Sequence, residues 1–312
     1  MSPTSDTAAM AAPVATPAAR VSPFAAFAWS VRREIWEHRS LYIAPLAVAG
    51  LVLFGAIISA VKVGGRLHAQ LEAAPDQAAV ARLAAFGASA VAMLFVAEVV
   101  AVFYCLAAVN GERRDRSILF WKSLPVSDAS AVLAKAAIPM AVLPVFLCAL
   151  IIGLQTLLLM IGTVGALIKG EPGLMSGPLR LPEMWGLLVY AVVAVTLWYA
   201  PIYGWLLMVS AWSKRAPFLW AVLPPLALTL VERLTFGTDY VGGLLNERFG
   251  GFKVAFQDGS GAFRGRLASF GNPLAIADPA GLVSSPGLWG GLVAAAVFIG
   301  ATVWLRQNRD PV

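Results

Sequence analysis

Six apolar runs of membrane length recur along the chain, separated by shorter segments that hold most of its charge. They cover Ser40 to Val61, Leu83 to Gly111, Ala136 to Ile168, Met184 to Ser213, Ala216 to Val231 and Pro279 to Leu305, and Glu98 in the second is their single acidic or basic interruption. A bilayer core about 30 Å thick takes roughly 20 apolar residues per helix, so each run predicts a transmembrane helix. The third is too long for one upright span and too short for two. Pro139 and Pro144 near its start predict a kinked or protruding helix that then crosses. The fifth is short and holds Pro217, Pro224 and Pro225, so it is expected to continue through Glu232 and Arg233, whose charged heads reach the interface.

Ahead of the first run the pattern changes twice. Residues 1–21 are rich in Ala, Pro, Thr and Ser, without the basic start and continuous apolar core of a signal peptide, and read as a disordered cytoplasmic tail. Ser22 and Pro23 then form an N-cap and first-turn proline that open a helix over residues 22–39. Its apolar positions, Phe24, Phe27, Ala28, Val31 and Ile35, fall at helical spacing, with Arg32, Arg33, Glu34, Glu37 and Arg39 as polar complement. An amphipathic helix along the cytoplasmic leaflet is expected.

Composition sharpens the class. Of 312 residues 59% are hydrophobic and 13% charged, and mean hydropathy is +0.78, whereas soluble domains carry about 25% charged residues. The expected fold is an all-α integral membrane protein with six transmembrane helices, residues 40–305, and an N-terminal amphipathic interfacial helix. With both termini inside, thirteen Lys and Arg fall on the cytoplasmic side and ten outside, five of the latter in or bordering one long loop. Loops that long translocate with less regard to charge, and Lys214, Arg215, Arg306 and Arg309 become cytoplasmic together only if the fifth run crosses. A multi-pass protein with both ends cytoplasmic is expected, residues 306–312 forming a cytoplasmic tail.

Chemistry is scarce. Two His and two Cys give no metal-ligand spacing: His38 and His68 lie in polar surroundings, and Cys105 and Cys148 lie in apolar runs as small buried residues. No serine with a plausible base and no His-Glu-x-x-His occurs in a span. A phosphate-binding loop is also missing; the nearest approach, Gly165 to Gly170, is followed by Glu171 where lysine is required.

One loop, residues 109–131, is unusually dense in charges and aromatics. Glu112, Arg113, Arg114, Asp115 and Arg116 precede Ile118, Leu119, Phe120 and Trp121; Lys122, Ser123, Leu124, Pro125 and Val126 follow, and Ser127 or Asp128 can cap the next helix. A plain connection needs no exposed Phe and Trp, so the segment is expected to bury them on a membrane or a partner. The Glu112-Arg113 pair after the second span and Ser123-Leu124-Pro125-Val126-Ser127 before the third, with Lys135 beyond, resemble the coupling helix of the permease subunits of type 2 ATP-binding-cassette exporters. The entry helix with Arg33-Glu34-Ile35-Trp36-Glu37-His38-Arg39 and the six spans extend the resemblance over residues 22–309. It implies a permease that works with a second permease copy or a homologous one, and a separate ATPase subunit that binds ATP and Mg. That subunit would dock on Glu112, Arg113, Arg114, Arg116, Phe120, Trp121, Lys122, Ser123, Leu124, Pro125 and Ser127. This chain carries no cofactor in that arrangement, and lipids, peptides, drugs and polysaccharides remain open as substrates.

Glu98 leaves two readings open, a polar group of the transport path or proton coupling, and a hydrogen bond to a neighbouring span. An ion-coupled carrier built on Glu98 and a non-transporting scaffold are the rival functions. The outer loop, residues 234–286, is broken by Gly242-Gly243, Gly250-Gly251, Asp258-Gly259 and Asn272-Pro273, and its apolar content predicts packing onto the outer leaflet or re-entry into the bilayer. Its charges nearly balance, so no nucleic-acid partner follows. Small pairs such as Ala56 with Ala60 and Gly290 with Ala294 permit close helix contact. Trp29, Trp36, Trp121, Trp185, Trp289 and Trp304 fall near span ends as an aromatic belt.

Overall fold

A computed structural model describes residues 22–62, 75–114, 127–168, 181–250, 254–256 and 273–308. The regular elements among them are helical: α1 (Pro23–Glu37), α2 (Ser40–Lys62), α3 (Pro75–Ala108), α4 (Asn110–Arg114), α5 (Asp128–Ala137), α6 (Leu143–Ile168), α7 (Leu181–Trp212), α8 (Pro217–Phe236), α9 (Tyr240–Gly250), α10 (Pro279–Ser284) and α11 (Pro286–Asn308). A π turn, Ile138–Val142, joins α5 to α6, and a 3-10 turn, Pro273–Ile276, precedes α10. Six segments are long and apolar enough to cross a bilayer: α2, α3 with α4, α5 through α6, α7, α8 and α11. The chain is an all-α integral membrane protein with six spans.

Local signals set most boundaries. Ser22 Oγ accepts from the Ala25 N–H at 3.2 Å with Pro23 in the first turn, so α1 starts where the sequence places its cap. Ser127, not Asp128, caps α5 by accepting from Ser130 N–H at 3.1 Å. The third span is one rod of 41 residues whose π turn contains Pro139 and ends just before Pro144. Proline lacks the N–H that would continue the regular ladder, and the backbone absorbs the defect there by adding a residue to the turn. The fifth span runs through Glu232 and Arg233 and stops at Gly237, whose φ of 64° is the left-handed cap that glycine adopts freely.

Several boundaries depart from the apolar runs. The helix of the second span begins at Pro75 and the third span at Asp128, each eight residues before its apolar run, and the fourth begins at Leu181. The run from Pro279 to Leu305 is divided: α10 ends at Ser284, and Ser285 is extended at φ −70°, ψ 121° before Pro286 opens α11. A residue preceding proline is pushed out of the helical region, so hydropathy alone overran the break.

Span four, α7, is the hub of the bundle. Buried residues make up 61% of its most apolar stretch, against 6% for α8 at the edge. Tyr203, Leu206, Leu207 and Val209 of α7 join Ala97, Ala101 and Cys105 of α3 and Leu143 and Leu147 of α6 in the main core. Among the described helices, α7 and α11 pack most extensively. A Cβ on Gly204 would come within 3.1 Å of the Ala295 carbonyl oxygen and 3.2 Å of Phe298 Cβ, so glycine sets this approach. On α11 the contact uses Ala295, one position on from the expected Ala294, together with Phe298, while the expected Gly290 is exposed. Ala60 meets the position a Gly165 Cβ would occupy, at 3.4 Å, across the pair α2 and α6.

At the end of the bundle away from α1, helix α9 is held by long side chains. The Arg248 guanidinium lies 4.7 Å over the Trp198 ring and donates to the carbonyls of Trp198 at 3.0 Å and Gly287 at 2.8 Å. Trp198 Nε1 donates back to the Arg248 carbonyl at 3.0 Å. A Cβ on Gly291 would stand 2.7 Å from the guanidinium nitrogens, so that glycine makes room for the arginine. Tyr190 donates to the Ala255 carbonyl at 2.7 Å, tying a further piece of residues 234–286 to α7. Phe249, Leu244 and Tyr240 remain exposed on α9, in keeping with an apolar outer face.

Candidate functional site at the polar end of the bundle

Charges that hydropathy scatters over four sequence regions meet at one place. Helix α1 brings Arg33 and Glu34, α4 brings Glu112, α5 brings Asp128 and Lys135, and the last turn of α11 brings Arg306. Lys135 Nζ lies 2.8 Å from Glu34 Oε1 and 3.0 Å from Glu112 Oε1. Arg33 Nη2 reaches the same two oxygens at 2.7 and 2.8 Å. Arg306 Nη1 pairs with Glu112 Oε2 at 3.1 Å, and its Nε pairs with Asp128 Oδ1 at 2.9 Å. The second oxygen of Glu34 accepts from the Tyr104 hydroxyl at 3.0 Å. Glu34 and Lys135 are each 1% exposed, so the charges sit out of solvent and depend on each other for compensation.

The electrostatics follow from that arrangement. Burial on its own would raise the Glu34 carboxyl, but Lys135 and Arg33 outweigh it and hold the group below its usual range. Burial likewise opposes the Arg33 charge, and Glu34, Glu112 and Glu37 overcome it, raising the guanidinium further. His38, whose ring packs edge-on against Tyr104 at 4.8 Å, is lowered because burial outweighs the attraction of Glu34. Burial raises Glu37. Glu34, Glu37 and His38 bring possible ligand atoms within 4.8 Å of one another. Both Glu34 oxygens are already taken by Lys135, Arg33 and Tyr104, which fits an internal salt-bridge network rather than a metal.

A second layer fastens α4 to the end of α7. The chain leaves α3 at Val109, and the Ser210 hydroxyl of α7 accepts from the N–H groups of Val109 and Asn110 at 3.1 and 3.0 Å while donating to the Leu106 carbonyl at 2.7 Å. Asn110 Nδ2 donates to the Ser213 carbonyl at 2.7 Å and Arg113 Nη1 to the Ala211 carbonyl at 2.6 Å. These contacts cap the carbonyl end of α7, where cations and donors are favoured.

Of the residues singled out in the loop, Glu112 is buried at the centre of the network, Arg113 is half-buried against α7, Arg114 is exposed and Ser127 is the α5 cap. Arg116, Phe120, Trp121, Lys122, Ser123, Leu124 and Pro125 lie outside the described residues, as do the tails 1–21 and 309–312. Glu98 stands apart, half-buried in the second span, where its Oε2 accepts from the Tyr203 hydroxyl of α7 at 2.7 Å.

The sequence pattern assigns Glu34 and Arg33 to the solvated face of α1, and the structure reverses this for Glu34. Val31 and Ile35 pack on the core beside it, while Phe24, Trp29 and Trp36 point outward with Arg32 stacked between the two indoles at 5.2 and 4.5 Å. The signal was present: Phe27, Val31, Glu34, Ile35 and His38 recur at i, i+4, i+7, i+8 and i+11, placing the carboxylate on the buried stripe. Arg306, Asp128 and Ser210 carry no comparable local signal, since only their partners on distant helices give them a role.

Compared with family models, with curated proteins and with solved structures, the chain has no match in any of the three.

Proposed function

We propose that this membrane protein is the transmembrane permease subunit of an ATP-binding-cassette exporter of the bacterial inner membrane. It would move a substrate by alternating access, driven by a separate ATPase subunit docked on the 109–131 loop at the cytoplasmic side. The observation that carries the reading is the Glu112 network. The helix ends that flank residues 115–126 are clamped into one charge cluster, through Glu112 on one side and Asp128 and Lys135 on the other. A force that a partner applied at α4 or α5 would reach α1, through Arg33 and Glu34, and the last span, through Arg306. In this reading Arg114 and the residues from Arg116 to Pro125 make the dock, both termini are cytoplasmic, a second permease copy completes the pathway, and ATP and Mg belong to the partner.

The test is co-expression with an ATPase encoded beside the gene, followed by purification and assay of ATP hydrolysis in liposomes. The expected result is a complex retained by the wild type and lost when Arg116 and Trp121 are replaced by alanine, with each protein still folded. A purified chain that never retains an ATPase subunit overturns the reading. The Glu98–Tyr203 pair favours one alternative, an ion-coupled carrier, which predicts that Glu98→Gln abolishes transport while Arg116 and Trp121 substitutions are tolerated.

A further inference from the structure

One face of α1 is turned away from the bundle. Trp29, Arg32 and Trp36 fall at i, i+3 and i+7, a single stripe of the helix, on a different side from Val31, Glu34 and Ile35, which pack inward. The Arg32 guanidinium lies over both indoles, 5.2 Å from the centre of Trp29 and 4.5 Å from that of Trp36. It makes no hydrogen bond or ion pair among the described residues. Stacking occupies the flat of the guanidinium and leaves its N–H edge, five donors in a fixed fork, open to a ligand. Two indoles left 60% and 59% exposed are costly in water, so the stripe is a contact surface.

The course of the chain says what covers it. His38 and Arg39 alone separate α1 from α2, whose exposed Ile43, Leu46 and Leu51 form a lipid-facing flank of the first span. The stripe therefore stands where hydrocarbon gives way to headgroups, the level that indoles favour. Charge then selects the headgroup. The exposed acid of α1, Glu37, is drawn to Arg33 at 3.5 Å, while Arg39, Arg114, Lys214 and Arg215 add exposed cations at the same end of the bundle. At the opposite end the exposed Arg233 is paired with Asp239 at 2.7 Å. A lipid with a choline or ethanolamine headgroup would bring its ammonium against this excess of positive charge; a lipid with a phosphate and no cation of its own would not.

We infer that Trp29, Arg32 and Trp36 form a clamp for the phosphate of an anionic phospholipid in the leaflet that meets the polar end of the bundle. Arg32 donates its edge N–H groups to the phosphate oxygens. The indoles hold the guanidinium in place beforehand, which lowers the ordering cost of binding, and cover the glycerol and upper acyl carbons. The clamp needs only the six-span fold and is independent of any ATPase.

The test is native mass spectrometry of the purified full-length chain in a neutral detergent, titrated with phosphatidylglycerol or with phosphatidylcholine of the same acyl chains. The readout is the first lipid adduct. Wild type is expected to prefer phosphatidylglycerol, and Arg32→Gln to weaken that lipid about tenfold, the loss of one charge-assisted contact, with phosphatidylcholine unchanged. Arg32→Lys keeps the charge without the planar fork and is expected to recover only part of the loss. Lys214→Gln removes an equal charge from the same end and is expected to change phosphatidylglycerol binding by less than about twofold, as a screened surface charge does. Equal uptake of the two lipids by wild type, Arg32→Gln that binds phosphatidylglycerol as wild type does, or a parallel loss of phosphatidylcholine each overturns the clamp. So does Lys214→Gln that costs as much as Arg32→Gln, since a diffuse field of charge would then account for binding. Glycerol 3-phosphate, which carries the phosphate without acyl chains, is expected to form no adduct at the same concentration; an adduct overturns the bilayer as the source of the ligand.

Discussion

At the polar end of the bundle three cations, Arg33, Lys135 and Arg306, share three carboxylates, Glu34, Glu112 and Asp128. At the other end Arg248 is held by two backbone carbonyls and an indole face, and no carboxylate pairs with it among the described residues. Burial lowers Arg248, with Glu247 only partly opposing, whereas the acids around Arg33 reverse the same penalty. The difference is between a junction and an anchor. Charges in the network belong to four helical segments, so removing one leaves its partners uncompensated and loosens several elements together. Arg248 fastens one short helix to α7 and α11, and its loss frees that helix while the spans keep their own contacts.

Five perturbations would break or sharpen that contrast. The largest effect is expected from Glu112→Ala, which leaves three buried cations, Lys135, Arg33 and Arg306, to only two carboxylates, Glu34 and Asp128; losing one partner of a buried ionic cluster costs about 3–5 kcal/mol. Thermal unfolding in detergent should show it as a cooperative loss across the bundle, and a melt confined to α4 would refute the junction. Acid comes next and acts at the same end. His38 is lowered, so its contribution is present above the usual 6.5 and is lost as pH falls from there through the depressed native value. Glu34, also lowered, contributes above the usual 4.5, and its share is lost as pH falls through the depressed native value. Glu37, raised by burial, works in the opposite sense. Stability should therefore fall in two stages below neutral pH, the first removed by His38→Gln; a profile flat from pH 7 to 4 contradicts this.

Arg248→Ala should be smaller and local, about 1–3 kcal/mol from two charge-assisted hydrogen bonds and a cation–π contact. Its readouts are red-shifted Trp198 emission and faster proteolysis around α9. Gly291→Ala should give the same signature by crowding the guanidinium, and an unchanged variant would show that the close approach does not matter. The smallest effect is expected from Ser22→Ala, about 1 kcal/mol for a lost N-cap, seen as faster amide exchange in the first turn of α1 with the network intact.

Much of the architecture was legible in the chain because its determinants are local. Six spans follow from runs of apolar residues, the ends of α1 and α5 from Ser22 and Ser127, and the defect in the third span from two prolines. Glu98 was legible as an intramembrane polar group, but its bond to Tyr203 was not, because the two residues lie 105 positions apart. Glu34 was misassigned for a related reason: polarity placed it on the wet face, while helical register placed it on the buried one.

By itself, then, the sequence determined an all-helical, six-span membrane protein and a loop dense in charge and aromatics, since apolar run length and capping depend only on neighbours along the chain. The tertiary structure decided which charges face one another. A buried carboxylate persists only where cations from other elements compensate it, and whether Arg33, Lys135 and Arg306 converge on Glu34, Glu112 and Asp128 depends on how α1, α4, α5 and α11 pack.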